Sequence, residues 1–203
     1  MKNILQIVIL LSSINSIIGQ TLFENKEFGI SMQEPKNWNI ANNDTFLKNY
    51  ENIDFSVEKL AQLIDSNKGS LLLSSYYKYD INKHSGLIPT IMITIEKNPT
   101  KNFLEFKNAI KSNVESYKEI VENFEFIEEP KEIEISKNKG IVCVYKYSIK
   151  TQEGEIVKIK SRGYSIPNGS YFLNIEFIDG QIDEDCTNEF NELIKTIKIK
   201  WNK

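Results

Sequence analysis

The stretch from Gly140 to Ile178 constrains this chain most. Three segments there, Gly140 to Lys150, Glu155 to Ser165 and Tyr171 to Ile178, carry the alternation of strands and are parted only by turns holding Glu153-Gly154 and Asn168-Gly169. Connections this short leave no room for a crossover, so the three strands form an antiparallel meander. If Gln152-Glu153-Gly154 is a three-residue loop with Gly154 left-handed, Ile141, Cys143, Tyr145, Tyr147 and Ile149 share a face with Val157 and Ile159. The opposite face then collects Lys146, Lys150, Lys158, Lys160 and Arg162. Of these, Lys146, Lys158, Lys160 and Arg162 make a basic strip, the candidate binding surface, and an anionic glycan or another protein is the partner it suits. Like charges on neighbouring strands stand about 5 Å apart and repel unless water, acids or a partner offset them. Glu176 is expected opposite Arg162 on the next strand, neutralising one charge. The competing reading is a solvated sheet face kept soluble by its lysines.

The elements before the meander are helices and short strands. Phe28 to Met32 reads as a strand, and Pro35-Lys-Asn-Trp38 as a turn with an aromatic anchor. Ser56 caps a helix with apolar positions Val57, Leu60, Ala61 and Ile64, ended by Gly69. Leu71 to Tyr79 and Thr90 to Glu96 are strands, separated by a loop holding His84. Asn102 with Glu105 resembles a capping box, and Phe103, Phe106, Ile110, Val114, Tyr117 and Val121 continue as one apolar stripe. Short strands are expected at Phe124 to Ile127 and Ile133 to Ile135. The last helix starts near Asp183, with Cys186, Phe190, Leu193 and Ile197 on its stripe. Helices around consecutive antiparallel strands give the α+β class, an antiparallel sheet with helices packed on it, and exclude a parallel nucleotide-binding sheet.

The order of these elements carries a resemblance. A leading Phe28-Gly-Ile strand, Pro35-x-x-Trp38, a mid-chain helix, a long meander and a closing helix resemble the PsbP-like superfamily. That family of α/β/α sandwiches includes the photosystem extrinsic protein, a Ran-binding import factor and small exported bacterial proteins. The resemblance implies a sandwich fold and a binding or accessory role. It implies no active site and transfers no functional residue.

The N-terminus follows the order of a secretory signal peptide: Lys2, an apolar run from Ile4 to Leu11 broken only by Gln6, then small and polar residues to Gly19. Residues 1–19 are read as the signal and 20–203 as one α+β domain, with cleavage after Ser16 as the rival position. The apolar run falls well short of the roughly 20 residues a membrane-spanning helix needs. The expected location is therefore secreted or periplasmic. A net charge of −3 offers no bulk attraction to nucleic acid.

Little chemistry is legible. His84 is the one histidine, which excludes His-cluster metal sites. Cys143 and Cys186 both fall on core-facing positions, and either a bridge between them or two separate buried thiols is compatible with that. Acidic runs such as Glu128-Glu129 and Asp183-Glu184-Asp185 fit turns and helix caps, and neither the calcium-loop pattern nor Gly-x-Ser-x-Gly occurs. No cofactor is implied. The sequence thus points to an exported, non-catalytic binding or accessory module, with an envelope or secreted hydrolase as the alternative. A pocket of convergent polar groups with shifted pKa values separates the two, since a pure binding module is expected to lack one.

Overall fold

The computed structural model describes residues 21–41, 69–151 and 154–201. The expected signal peptide and the helix expected from Ser56 to Gly69 lie outside the described residues, apart from Gly69 itself. In chain order the elements are β1 (Leu22–Asn25), β2 (Ile30–Gln33), β3 (Asn39–Ile40), β4 (Ser70–Tyr77), β5 (Thr90–Lys97) and α1 (Phe103–Glu115). A single 3-10 turn, Ser116–Glu119, follows α1. Then come β6 (Glu122–Ile135), β7 (Asn138–Lys150), β8 (Ile156–Asn168), β9 (Tyr171–Gly180), α2 (Thr187–Thr196) and β10 (Lys198–Ile199). The seven-stranded sheet has the order β3-β4-β5-β9-β8-β7-β6, and β1-β2-β10 form a second, small sheet. Every described strand pair is antiparallel. The α+β class read from the sequence is the class observed.

The meander has the expected register between β7 and β8. Tyr147 faces Ile159, Ile149 faces Val157, and the Thr151 N–H donates to the Glu155 carbonyl at 2.8 Å. Gly154 has φ 87°, a left-handed conformation that glycine adopts without a Cβ clash. The expected strands at Phe124 and Ile133 are instead parts of one long edge strand, β6, which passes through Pro130. Its pairing with β7 is irregular at three places, one of which, between Glu128 and Lys131, spans the proline, and an edge strand tolerates the missing N–H.

Helices cover both faces of the large sheet. The Asn102 side chain accepts the Glu105 N–H at 3.0 Å, so α1 starts where the capping pattern placed it. Phe106, Ile110 and Val114 are buried against Ile141, Cys143, Tyr145 and Phe172. The stripe breaks earlier than expected: α1 ends at Glu115, and Tyr117 rides on the 3-10 turn, partly exposed. On the other face α2 and the small sheet bury Phe190, Leu193, Ile30 and Met32 against β4, β5 and β9. Phe177 of β9 and Phe190 of α2 stand 4.8 Å apart, and Trp38 meets Phe190 edge-on at 5.9 Å. That contact is the anchor expected of the Pro35–Trp38 turn.

The last helix begins four residues later than expected. Glu184 has φ 60°, which no α-helix accommodates, and its carboxylate is held by Lys78 at 2.8 Å and by the Tyr79 hydroxyl. Cys186 is the N-cap of α2 and buried.

Candidate functional site

Residues 146, 158, 160 and 162 share one sheet face, with Lys146 directly opposite Lys160 and Arg162 opposite Val144. They do not form an exposed basic strip. Arg162 pairs in register with Phe177, and Glu176 pairs with Gly163 on the opposite face. The expected Arg162–Glu176 partnership is therefore wrong by one residue, which in a strand reverses the face. Asp179 takes the place of Glu176: its carboxylate accepts from Arg162 at 2.9 Å and lies 3.8 Å from Lys160. It also accepts the Cys186 N–H at 2.8 Å, which fixes the start of α2. Burial pushes the Asp179 carboxyl up, against the lowering pull of Arg162, the Cys186 N–H and Lys160.

Arg162 and Lys160 are covered by the start of α2. The Arg162 guanidinium lies 5.5 Å from the Phe190 ring centroid, and both cations donate to the Thr187 hydroxyl. Lys160 also pairs with Asp185 at 2.9 Å. Lys146 is half-exposed and paired with Glu125 at 2.9 Å. Lys158 is exposed and has no ion pair among the described residues. Two of the four cations thus belong to a buried ionic network that seats α2.

The two cysteines lie in separate cores, Cys143 under α1 and Cys186 at the start of α2, with the sheet between them. Both are free thiols, so the bridge is excluded. Burial pushes each thiol up to about 11, the opposite of what an activated nucleophile needs. His84 stacks on Tyr79 with ring centroids 4.3 Å apart.

The feature with convergent polar groups lies on the other face, between α1 and the sheet. It is a cleft of about 120 Å³. Ile110, Asn113 and Val114 of α1 roof it, and Tyr117 stands at the end of that roof. The floor comes from four strands: Glu96 of β5, Asn174 and Glu176 of β9, Gly163 and Ser165 of β8, and Cys143 and Tyr145 of β7. Gly163 creates the space. Its φ is not left-handed, and a Cβ there would meet nothing closer than Asn174 Oδ1 at 4.0 Å.

Its side chains are held by one another. Glu176 Oε1 accepts from the Tyr145 hydroxyl at 3.0 Å and from the Ser161 hydroxyl at 2.7 Å. Glu96 Oε1 accepts from Thr94 at 3.0 Å, and the Ser165 hydroxyl donates to Asn174 Oδ1 at 3.1 Å. Burial pushes the Glu96 carboxyl up, opposed by hydrogen bonds from Thr94 and Asn174 and reinforced by the charge of Glu176. Burial, then the charge of Glu176, holds Tyr145 far above the usual phenol range and raises Tyr147 to about 12. The rings of Tyr117 and Tyr145 stack at 6.0 Å. Neither carboxylate has a salt bridge to Lys or Arg among the described residues.

From the sequence, Ile110, Val114, Tyr117, Cys143 and Tyr145 read only as core and Glu176 as the partner of Arg162, while Glu96, Gly163, Ser165 and Asn174 carried no reading as a site. The available signal was the alternation itself, which sets Asn174 and Glu176 on one face of β9 with Phe172 and Ile178, and Glu96 on one face of β5 with Met92. A pocket of this kind is the feature expected of the hydrolase alternative and not of a pure binding module, and it is present.

No protein-family model matches the chain, and no curated protein sequence matches it. Solved structures do. A protein of unknown function from Pseudomonas aeruginosa aligns over 90% of this chain and 98% of its own, with a TM-score of 0.45 and 12% identity. LpqN, involved in cell envelope biogenesis of Mycobacterium tuberculosis, covers 65% of this chain and 79% of its own at a TM-score of 0.42 and 12% identity. Cyanobacterial PsbP from Synechocystis covers 89% of this chain and 92% of its own, with a TM-score of 0.52 and 7% identity. At such identities the likeness concerns the fold alone, and the chain has a PsbP-like fold.

Proposed function

We propose that the chain is exported and acts outside the cytoplasm as a non-catalytic binding or accessory module, with the cleft under α1 as its ligand site. The observation that carries the reading is the cleft itself, where two carboxylates without a basic partner among the described residues meet two tyrosines over a glycine-made floor. Although such a pocket was the mark expected of a hydrolase, its nucleophiles are tuned away from chemistry: the Cys143 thiol is raised to about 11 and the tyrosines are raised as well. Export rests on the signal-peptide order of residues 1–19. N-terminal sequencing of the exported protein should give a start at or near Gln20, and an intact Met1 on the folded product refutes that part.

The cleft is tested by titrating the 15N-labelled chain with a small-molecule extract of the envelope of the organism that makes it. Amide shifts confined to Gly163, Asn174 and Tyr145 and their neighbours are expected. They should vanish in Gly163→Val, which places three carbons in the open space above the strand. Shifts elsewhere, or shifts that persist in Gly163→Val, refute the cleft as the site. A second reading, an envelope or secreted hydrolase, is favoured by Glu96, whose raised carboxyl suits a general acid. A hydrolytic activity of the chain that Glu96→Gln abolishes would establish it.

A further inference from the structure

The cleft's composition bears on what occupies it. Glu96 and Glu176 are half-buried, and carboxylates taken even partly out of water carry a cost that structures meet with a cation, hydrogen bonds or a proton. Arg162 and Asp179 show the first solution on the far face of the same sheet. Glu96 and Glu176 have only hydrogen bonds from neutral groups: Thr94 and Asn174 at the first, Tyr145 and Ser161 at the second. The charge of Glu176 bears on Glu96, and neither carboxylate has a built-in counter-charge among the described residues. Lys111 of α1 is the nearby cation of that helix, and it is turned to Glu129 at 3.0 Å and Glu115 at 4.0 Å.

The walls narrow the class of cation. Among the described residues no three His, Cys, Asp or Glu side chains gather where they could hold a metal ion. Hard metal ions also want several oxygen ligands and no apolar wall. Here the walls are apolar and aromatic: Ile110, Val114, Phe172 and the rings of Tyr117 and Tyr145. Aromatic faces attract organic cations through the ring quadrupole, and the aliphatic lining suits an alkyl stem. Asn174 and the carboxylates supply acceptors, which an ammonium with its N–H donors can use and a quaternary nitrogen cannot.

Resting on the reading of the cleft as a ligand site, we infer that its ligand is a small alkylammonium compound, a primary amine bound in its charged form. Its ammonium group takes the place of the missing counter-charge beside Glu96 and Glu176, and its stem lies against Val114, Phe172 and the Tyr145 ring. Gly163 sets the size limit.

The test compares three probes of equal chain length on the 15N-labelled chain: putrescine, the neutral 1,4-butanediol and the anionic succinate, with calcium chloride as a fourth arm. Putrescine is expected to shift the amides of Gly163, Asn174 and Tyr145 saturably, and the other three to leave them in place. Glu96→Gln and Glu176→Gln keep an acceptor oxygen for their hydrogen-bond donors, so both variants should remain folded with dispersed spectra. Each should weaken putrescine binding at least about tenfold, the scale of losing one hydrogen bond to a charged group. If butanediol, succinate or calcium shifts these amides and putrescine does not, the ammonium assignment is overturned while the cleft stands as a ligand site. Putrescine binding that is undiminished in both variants overturns it equally. If no probe shifts these amides but the envelope extract does, the ligand is of another class. If the extract fails too, the reading of the cleft itself falls.

Discussion

Exchanging a single lysine for glutamate at two neighbouring positions of β8 separates the exposed from the buried part of the basic face. Lys158→Glu and Lys160→Glu make the same change in net charge, two residues apart, on the same side of the same strand. Lys158 is exposed without an ion pair among the described residues, and substitutions at such sites stay within about 0.5 kcal/mol. Lys160 has a side chain only 12% exposed and stands 3.8 Å from the fully buried Asp179 and 2.9 Å from Asp185. At about 4 Å and an effective dielectric of about 20, one pair of unit charges interacts by about 4 kcal/mol. Asp185 is 41% exposed, so its share is discounted for solvent screening. The new carboxylate would also face Asp179 and leave it with Arg162 alone. A loss of at least about 3 kcal/mol is expected for Lys160→Glu, in keeping with broken buried pairs generally. For a chain of this length that lowers Tm by about 6–12 °C. Urea unfolding followed by circular dichroism measures both variants side by side at 0.1 M salt. Equal midpoints for the two would refute the assignment of Lys160 and Arg162 to a buried network. So would recovery of Lys160→Glu in 1 M salt, because buried pairs are screened little.

Two further outcomes follow from the packing under α1. Phe106→Ala and Ile110→Ala should each cost about 2–5 kcal/mol through lost burial and a cavity, and an unchanged unfolding midpoint for both contradicts the assigned face. Glu96 carries a pH signature. Its folded carboxyl is raised above the ordinary 4.5, so the folded state holds its proton more tightly than the unfolded chain. The resulting penalty is absent below about 4.5 and complete above the raised folded value. Glu96→Gln should therefore raise Tm relative to the parent at pH 7.5 and not at pH 4, and an equal difference at both pH values refutes it.

How much of this was legible in the sequence turns on loop lengths. The three-residue loop containing Gly154 set the β7–β8 register correctly, and with it the apolar face under α1. The next loop has two residues, because Asn168 pairs with Tyr171, so Arg162 meets Phe177 and not Glu176. Assuming an offset shorter by one residue placed Glu176 on the wrong face, and a period of two makes any such slip a complete inversion. That one residue hid the cleft: moved to the face of Tyr145 and Ser161, Glu176 becomes an anion under a helix instead of the counter-charge of a surface strip. Asp179, to which local sequence pattern gives no role, takes the place beside Arg162.

The helix starts and the cleft differ in kind. Asn102 with Glu105 is a local signal, settled within four residues, and α1 begins where it says. The start of α2 depends on Asp179, which accepts the Cys186 N–H, and on Lys78 and Tyr79, more than a hundred residues earlier, which hold Glu184 in a left-handed turn that its neighbours Asp183 and Asp185 disguise as a helical first turn. The cleft is more distant still from any local pattern. Its floor needs β9 inserted between β5 and β8, an order that pairs Thr94 directly with Asn174, 80 residues later in the sequence (174 − 94). Only that insertion sets Thr94, Asn174 and Ser165 in one row and brings Glu96 within reach of the charge of Glu176. A glycine in β8 looks like a weakness in the strand when read alone. Beneath α1, with Cys143 on one side and Glu176 on the other, the missing side chain is what keeps the cleft open.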